Sequence, residues 1–225
     1  MMNLQTTATK IRNICIAYES EAKDRLKASP NLEEKDILPL IALLPLQERT
    51  EEQELLSAAL LFFWLSRECH GEVKNKDSQH NAAAVLFGDL FYSAAYKILE
   101  SNENREEEDI FTEIAAIIVR YNEAWFQRQA IKDPAGADPE LCQKIIEADL
   151  GGILDLAARK GAEEGKYSDA EISLYRDCAH YLSLIWGQYR YGFTLDLKPA
   201  QDSALAAANK LGLDKEIREI LAIFE

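Results

Sequence analysis

The chain has 225 residues, 48% of them hydrophobic and 28% charged, which is enough to bury a sizeable core and is not a disordered composition. Its formal net charge of −14 leaves no broad basic surface for phosphate backbones, so no nucleic-acid partner is expected. An anionic membrane surface is disfavoured for the same reason.

The four cysteines, Cys15, Cys69, Cys142 and Cys178, have no CxxC spacing and read as free thiols of a reducing compartment. Met1 to Lys10 contain no apolar signal core, and the longest apolar run, Ala58 to Leu65, is too short to span a bilayer. A cytoplasmic protein without a transmembrane segment is the expectation.

Taken in order, residues 4–28 predict a helix with Ile11, Ile14, Cys15, Tyr18, Ala22 and Leu26 on one face, ended by Ser29-Pro30-Asn31. A shorter helix is predicted over 32–44, interrupted by Pro39 and followed by Pro45. Thr50 and Gln53 form a capping box opening a third helix, which continues through Leu55, Leu56, Ala59, Leu60, Phe63 and Trp64. Residues 70–79 are polar and read as a loop.

His80 to Glu100 is the most apolar segment, and its small residues alternate with large ones. That suits a helix packed on most of its sides. Gly88, inside it, costs about 1 kcal/mol in helix propensity and therefore wants a structural reason. After the acidic turn from Glu103 to Asp109, read as a solvated helix start, Ile110, Ile114, Ile117, Ile118, Tyr121 and Trp125 give the cleanest helical period in the chain.

Asp133-Pro134-Ala135-Gly136 stops that helix, and another starts at Asp138-Pro139, with Asp as N-cap, and runs towards Arg159. Residues 168–191 predict a helix carrying Tyr175, Tyr181, Trp186, Tyr189 and Tyr191, and two shorter ones follow at 199–211 and 214–224. With no strand-like alternation and no repeat, the expected fold is all-α: one helical-bundle domain over 1–225.

Catalytic motifs are scarce. There is no Gly-rich phosphate loop, no HExxH, and no Ser or Cys in a nucleophile context. His70 reads as a C-terminal cap. Asp177 and His180 share a helix face, a spacing more often solvated than metal-binding. No pair of carboxylate clusters suggests a magnesium cage, so no metal site is expected.

Beside that absence stands the run Ala-Ala-Val-Leu-Phe-Gly-Asp-Leu-Phe-Tyr-Ser-Ala-Ala-Tyr-Lys-Ile-Leu at 83–99. It resembles the trans-prenyltransferase segment A-V-L-x-G-D-x-L-x-x-x-A-F-x-x-L, and the resemblance covers about residues 50–195. In that superfamily the Gly-Asp helix lies at the core and the subunit interface. Upstream, where the first Asp-rich motif belongs, this chain reads Trp-Leu-Ser-Arg-Glu-Cys-His (64–70). Downstream, Asp149 to Ala162 looks like the Lys-Thr-x-x-Leu helix, with Asp149 and Leu150 in place of the Lys and Thr that contact diphosphate. Tyr175 to Phe193 stands where the second Asp-rich motif belongs, with only Asp196 nearby.

Ionising an allylic diphosphate needs several carboxylates to hold magnesium against the leaving group. Apolar groups and Arg67 hold none, and Asp149 for Lys turns attraction into repulsion. The pattern is similar to the small, non-catalytic subunits of two-component hexa- or heptaprenyl diphosphate synthases (heptaprenyl diphosphate synthase component I). The resemblance implies an isoprenoid-synthase fold and a heterodimer with a catalytic large subunit that carries the magnesium. It also implies help in setting product chain length, in menaquinone side-chain synthesis.

Carried onto this chain, the partner face takes Phe87, Gly88, Phe91, Tyr92, Ala95, Ile117, Tyr121 and Trp125, although each apolar one taken singly is equally an ordinary core residue. Phe87, Phe91 and Tyr92 are also candidates to line a tunnel for the isoprenoid tail of the product. Homodimerisation of the chain alone is left open. The alternative reading is a stand-alone terpene synthase or prenyltransferase with Glu147, Asp149, Asp177 and His180 as unconventional metal ligands. A third is a helical interaction protein with an acidic surface.

Overall fold

The structure is a computed structural model that describes residues 51–71, 73, 78–100 and 107–222. The helices expected over 4–28 and 32–44, the Thr50–Gln53 capping box and the start of the acidic turn at Glu103 lie outside the described residues. Among those described the chain is all-α, with eight α-helices, one π-helical turn and no strand. They fall into two compact units, one holding the described residues from 51 to 100 and the other those from 107 to 222.

The first unit holds α1 (Glu51–Gly71) and α2 (Ser78–Glu100). Every residue of α1 from Leu56 to Ser66 is buried, as expected of a helix apolar all round. On α2 the buried positions Ala84, Phe87, Phe91, Ala94, Ala95, Ile98 and Leu99 recur at helical spacing. They face α1 through Phe62 and Phe91, stacked at 5.6 Å, and through the Phe63 ring, edge-on to Tyr92 and Tyr96 at 5.5 Å. Asn81–Glu100 is by length and composition apolar enough to cross a membrane, the one such helix among the described residues.

Gly88 has its reason at the end of α1. A Cβ on it would lie 2.2 Å from His70 Nε2, and His70 pairs at 3.3 Å with Asp89. The His70 side chain is 42% exposed, so it can swing aside. Gly88→Ala should therefore exchange the exposed His70–Asp89 contact, of about 0–1 kcal/mol, for about 1 kcal/mol of helix propensity. Its unfolding free energy, from the urea midpoint at constant slope, should stay within about 1 kcal/mol of wild type.

The second unit holds α3 (Glu107–Ala130), α4 (Pro139–Ile146), a π-helical turn (Glu147–Gly151), α5 (Gly152–Glu164), α6 (Asp169–Tyr191), α7 (Lys198–Leu211) and α8 (Asp214–Leu221). The Asp138 carboxylate accepts from Leu141 N at 3.2 Å and caps α4, with Pro139 at its first position.

A capping box opens α6. Ser168 N donates to Glu171 Oε2 at 2.9 Å, and Glu171 N donates to Ser168 Oγ at 3.4 Å. Left-handed Gly192 closes it at φ 68°, a conformation glycine adopts without strain. Ser168→Ala should cost about 1 kcal/mol of thermal stability.

The same contact sets a pH dependence. Hydrogen bonds from Ser168 hold the Glu171 carboxyl below its ordinary value of 4.5. A depressed carboxyl contributes stability that is complete above its unfolded value and lost as pH falls through the folded one. Acid unfolding of Ser168→Ala should thus begin at higher pH than that of wild type.

Candidate functional site

From Cys142 the chain buries every fourth residue: Cys142, Ile146, Leu150, Leu154, Ala158 and Ala162, each 0% exposed. An α-helix turns once per 3.6 residues, so a strict four-residue stripe would slip about 40° per turn. The wide π-helical turn at Glu147–Gly151 absorbs part of this slip and keeps the stripe on the core. Such turns recur at functional sites. A parallel buried column runs Ile145, Asp149, Ile153, Ala157, and one carboxylate stands in it.

That carboxylate is answered from two other helices. Tyr191 Oη, at the end of α6, donates to Asp149 Oδ2 at 2.5 Å. Arg128 Nε, from the last turns of α3, lies 3.7 Å from the same oxygen, and the Asp149 side chain is 0% exposed. The guanidinium also sits over the Tyr191 ring, 4.3 Å from its centroid, a cation–π contact. Beyond Tyr191, Gln188 Oε1 accepts from Leu195 N at 2.7 Å and holds the chain as it leaves α6. Where α6 crosses the end of α4, a Cβ on Gly187 would meet three Ile146 side-chain atoms at 2.5–2.7 Å.

Around this cluster, Arg159 of α5 bridges Glu113 of α3 and Glu163, and Arg176 of α6 grips Asp155 at 2.7 Å. Of the four alternative metal ligands, Asp149 is engaged by Tyr191 and Arg128. Glu147 accepts from Gln143 at 2.8 Å and lies 4.0 Å from His180, and Asp177 is exposed. Among the described residues no three of His, Cys, Asp and Glu are grouped to hold a metal.

In the first unit the stretch 64–70 offers no carboxylate pair. Arg67 lies over the Trp64 ring at 3.9 Å with Nε 3.7 Å from Glu68, and Cys69 is buried. Alongside, Tyr92 and Tyr96 share a hydroxyl contact of 3.0 Å. Burial, then this hydrogen bond, pushes the Tyr96 phenol up to about 12.

Of the residues expected at a partner face, Phe87, Phe91 and Ala95 are buried at 3% or less and Gly88 lies under His70, all within the first unit. Tyr92, by contrast, is exposed. In the second unit Ile117, Tyr121 and Trp125 are half-buried. The large apolar side chains that α2 and α3 leave open are Val85, Leu86, Val119 and Phe126, the last edge-on to Trp125 at 5.1 Å.

No family model matches the sequence, and no curated protein matches it. Solved structures do. A mint deletion mutant of heterotetrameric geranyl pyrophosphate synthase superposes with a TM-score of 0.71 over 98% of this chain and 100% of its own, at 12% identity. The geranyl diphosphate synthase small subunit of Antirrhinum majus gives 0.68 over 99% and 100%, at 15% identity. Heptaprenyl diphosphate synthase of Staphylococcus aureus gives 0.64 over 99% of this chain and 84% of its own, at 12% identity. The fold is that of the isoprenoid synthases.

Among the described residues, the groups that the resemblance brings to the site do not fit a magnesium–diphosphate group. Arg67 and His70 fall in the stretch where the resemblance expects the first carboxylates, and Asp149, where it expects a lysine, is already bound inside the chain. Asp149 is legible in the sequence as a substitution, but its partners are not. The available signal was its place in a four-residue apolar column. Nothing local to the sequence pointed to Arg128.

Proposed function

We propose that this chain is a non-catalytic subunit of a heteromeric polyprenyl diphosphate synthase. It binds a catalytic large subunit in a heterodimer, in the cytoplasm, and helps set a hexa- or heptaprenyl product length for menaquinone side chains. The observation that carries this reading is Asp149. A buried carboxylate held by Tyr191 and Arg128 repels a diphosphate where the resemblance expects attraction. Two structural neighbours, a heterotetrameric geranyl pyrophosphate synthase and a geranyl diphosphate synthase small subunit, support an assembly of unlike chains.

Partner contacts are proposed separately on each unit: on α2, where Val85, Leu86 and Tyr92 are exposed, and on α3, where Val119 and Phe126 are exposed and Ile117, Tyr121 and Trp125 are half-buried. Phe87, Phe91 and Ala95 support the α2 contacts from within the first unit.

Mixing the purified chain with a large subunit that carries both Asp-rich motifs should give co-elution on gel filtration and isopentenyl transfer that neither gives alone. Separate elution with no activity in the mixture overturns the reading. Turnover of farnesyl diphosphate with magnesium by the isolated chain would establish the stand-alone enzyme instead.

A further inference from the structure

One side of α3 is open to solvent. Ala115, Val119, Asn122, Glu123 and Phe126 fall within about 60° of the Val119 direction, at about 100° per residue, and all five are exposed. Val119 is 57% and Phe126 69% exposed, large apolar groups of the kind a helix turns towards a partner. Arg120 flanks the stripe on the Glu123 side and is exposed as well. Neither Arg120 nor Glu123 has an ion-pair partner among the described residues.

The stripe is its own complement. A two-fold axis at the level of Tyr121 lays the α3 of a second copy antiparallel to the first, and each contact then occurs twice. Phe126 falls at the height of the other copy's Ala115, whose short side chain leaves room for the ring. Glu123 falls beside the other copy's Arg120, on the same side of the stripe, so opposite charges meet. Asn122 lies next to the axis and faces its own counterpart, where paired amides fix orientation and register. An unrelated partner would require no such reciprocity in this helix, whereas a second copy does.

We propose that two copies of this chain pair through α3 about this axis, with Phe126 of each on Ala115 of the other and Glu123 of each on Arg120 of the other. The pairing goes beyond the proposed function and meets it at one point: a large subunit docking on α3 must displace the second copy. The net charge of −14 on each chain opposes association, and physiological salt screens that repulsion at separations beyond about 8 Å.

Sedimentation velocity of the full chain at about 0.15 M salt should show a monomer–dimer equilibrium over roughly 1–100 μM. Arg120→Glu and Glu123→Arg each set like charges against one another at both contacts and should weaken the dimer roughly tenfold or more. Mixed in equal amounts, the two variants restore opposite charges across the axis and should recover a dimer. The chain carrying both exchanges should do so alone. Phe126→Ala, which alters no charge, should also weaken the dimer and supplies an independent check, and circular dichroism verifies that each variant keeps its helices.

A monomer at every concentration overturns the proposal, as does a dimer left intact by the charge variants, a mixture of them that stays monomeric, or unchanged affinity in Phe126→Ala. No readout involves a large subunit, so failure here is distinct from failure to co-elute with one.

Discussion

Asp149→Lys, which installs the residue that the resemblance places there, is expected to destabilise the protein by roughly 3–5 kcal/mol and to create no catalyst. The Asp149 side chain is 0% exposed and faces Arg128 at 3.7 Å. Lysine there would set a second cation against the guanidinium and leave the Tyr191 hydroxyl without its acceptor. Breaking a buried pair costs more than the pair contributes, because the remaining charge keeps its desolvation penalty. Arg128 is partly solvated, which screens its share, while the fully buried carboxylate keeps the effect large.

The measurement is the urea midpoint at constant slope. A midpoint shift worth less than about 1 kcal/mol at that slope would show that this carboxylate does not face inward against Arg128. The double variant Asp149→Asn with Arg128→Gln, which removes both charges, should lose less than the sum of its single variants by about 1 kcal/mol or more.

Gly187→Val is expected to cost about 3 kcal/mol, at the upper end of overpacking penalties. The added atoms would enter the space of Ile146, itself 0% exposed, with even a Cβ falling 2.5 Å from its Cγ1. Ile146 has nowhere to move, because it is the last residue of α4 and belongs to the buried four-residue stripe. Combining Gly187→Val with Ile146→Ala should recover part of the loss, since the pair roughly conserves volume. Thermal unfolding of the four proteins checks this, and additive losses would mean that the two positions do not touch. The contrast with Gly88 is instructive, because there the obstacle is the partly exposed side chain of His70.

Helix boundaries in the described residues were readable from local chemistry. Asp138-Pro139 and the Asp133-to-Gly136 turn placed the neighbouring helix ends within a few residues, and α6 was expected over 168–191 against Asp169–Tyr191 observed. The expected loop over 70–79 is shorter, since α2 already starts at Ser78. The helix expected from Asp138 to Arg159 is one path with a π-helical turn inside it. That turn escapes a search for 3.6-residue period because it appears only as a stripe at exactly every fourth position.

The sequence by itself determined the all-α class, the helix ends and the missing acidic motifs, because caps, turn residues and apolar period act over a few residues. Only the tertiary structure decided that Phe87, Phe91 and Ala95 are buried and that His70 rests on Gly88. It alone gave Asp149 its partners, Arg128 from another helix and Tyr191, 42 positions away. A charge is tolerable in a core only if a distant partner meets it there, and which helices cross at that point is a property of the assembled fold.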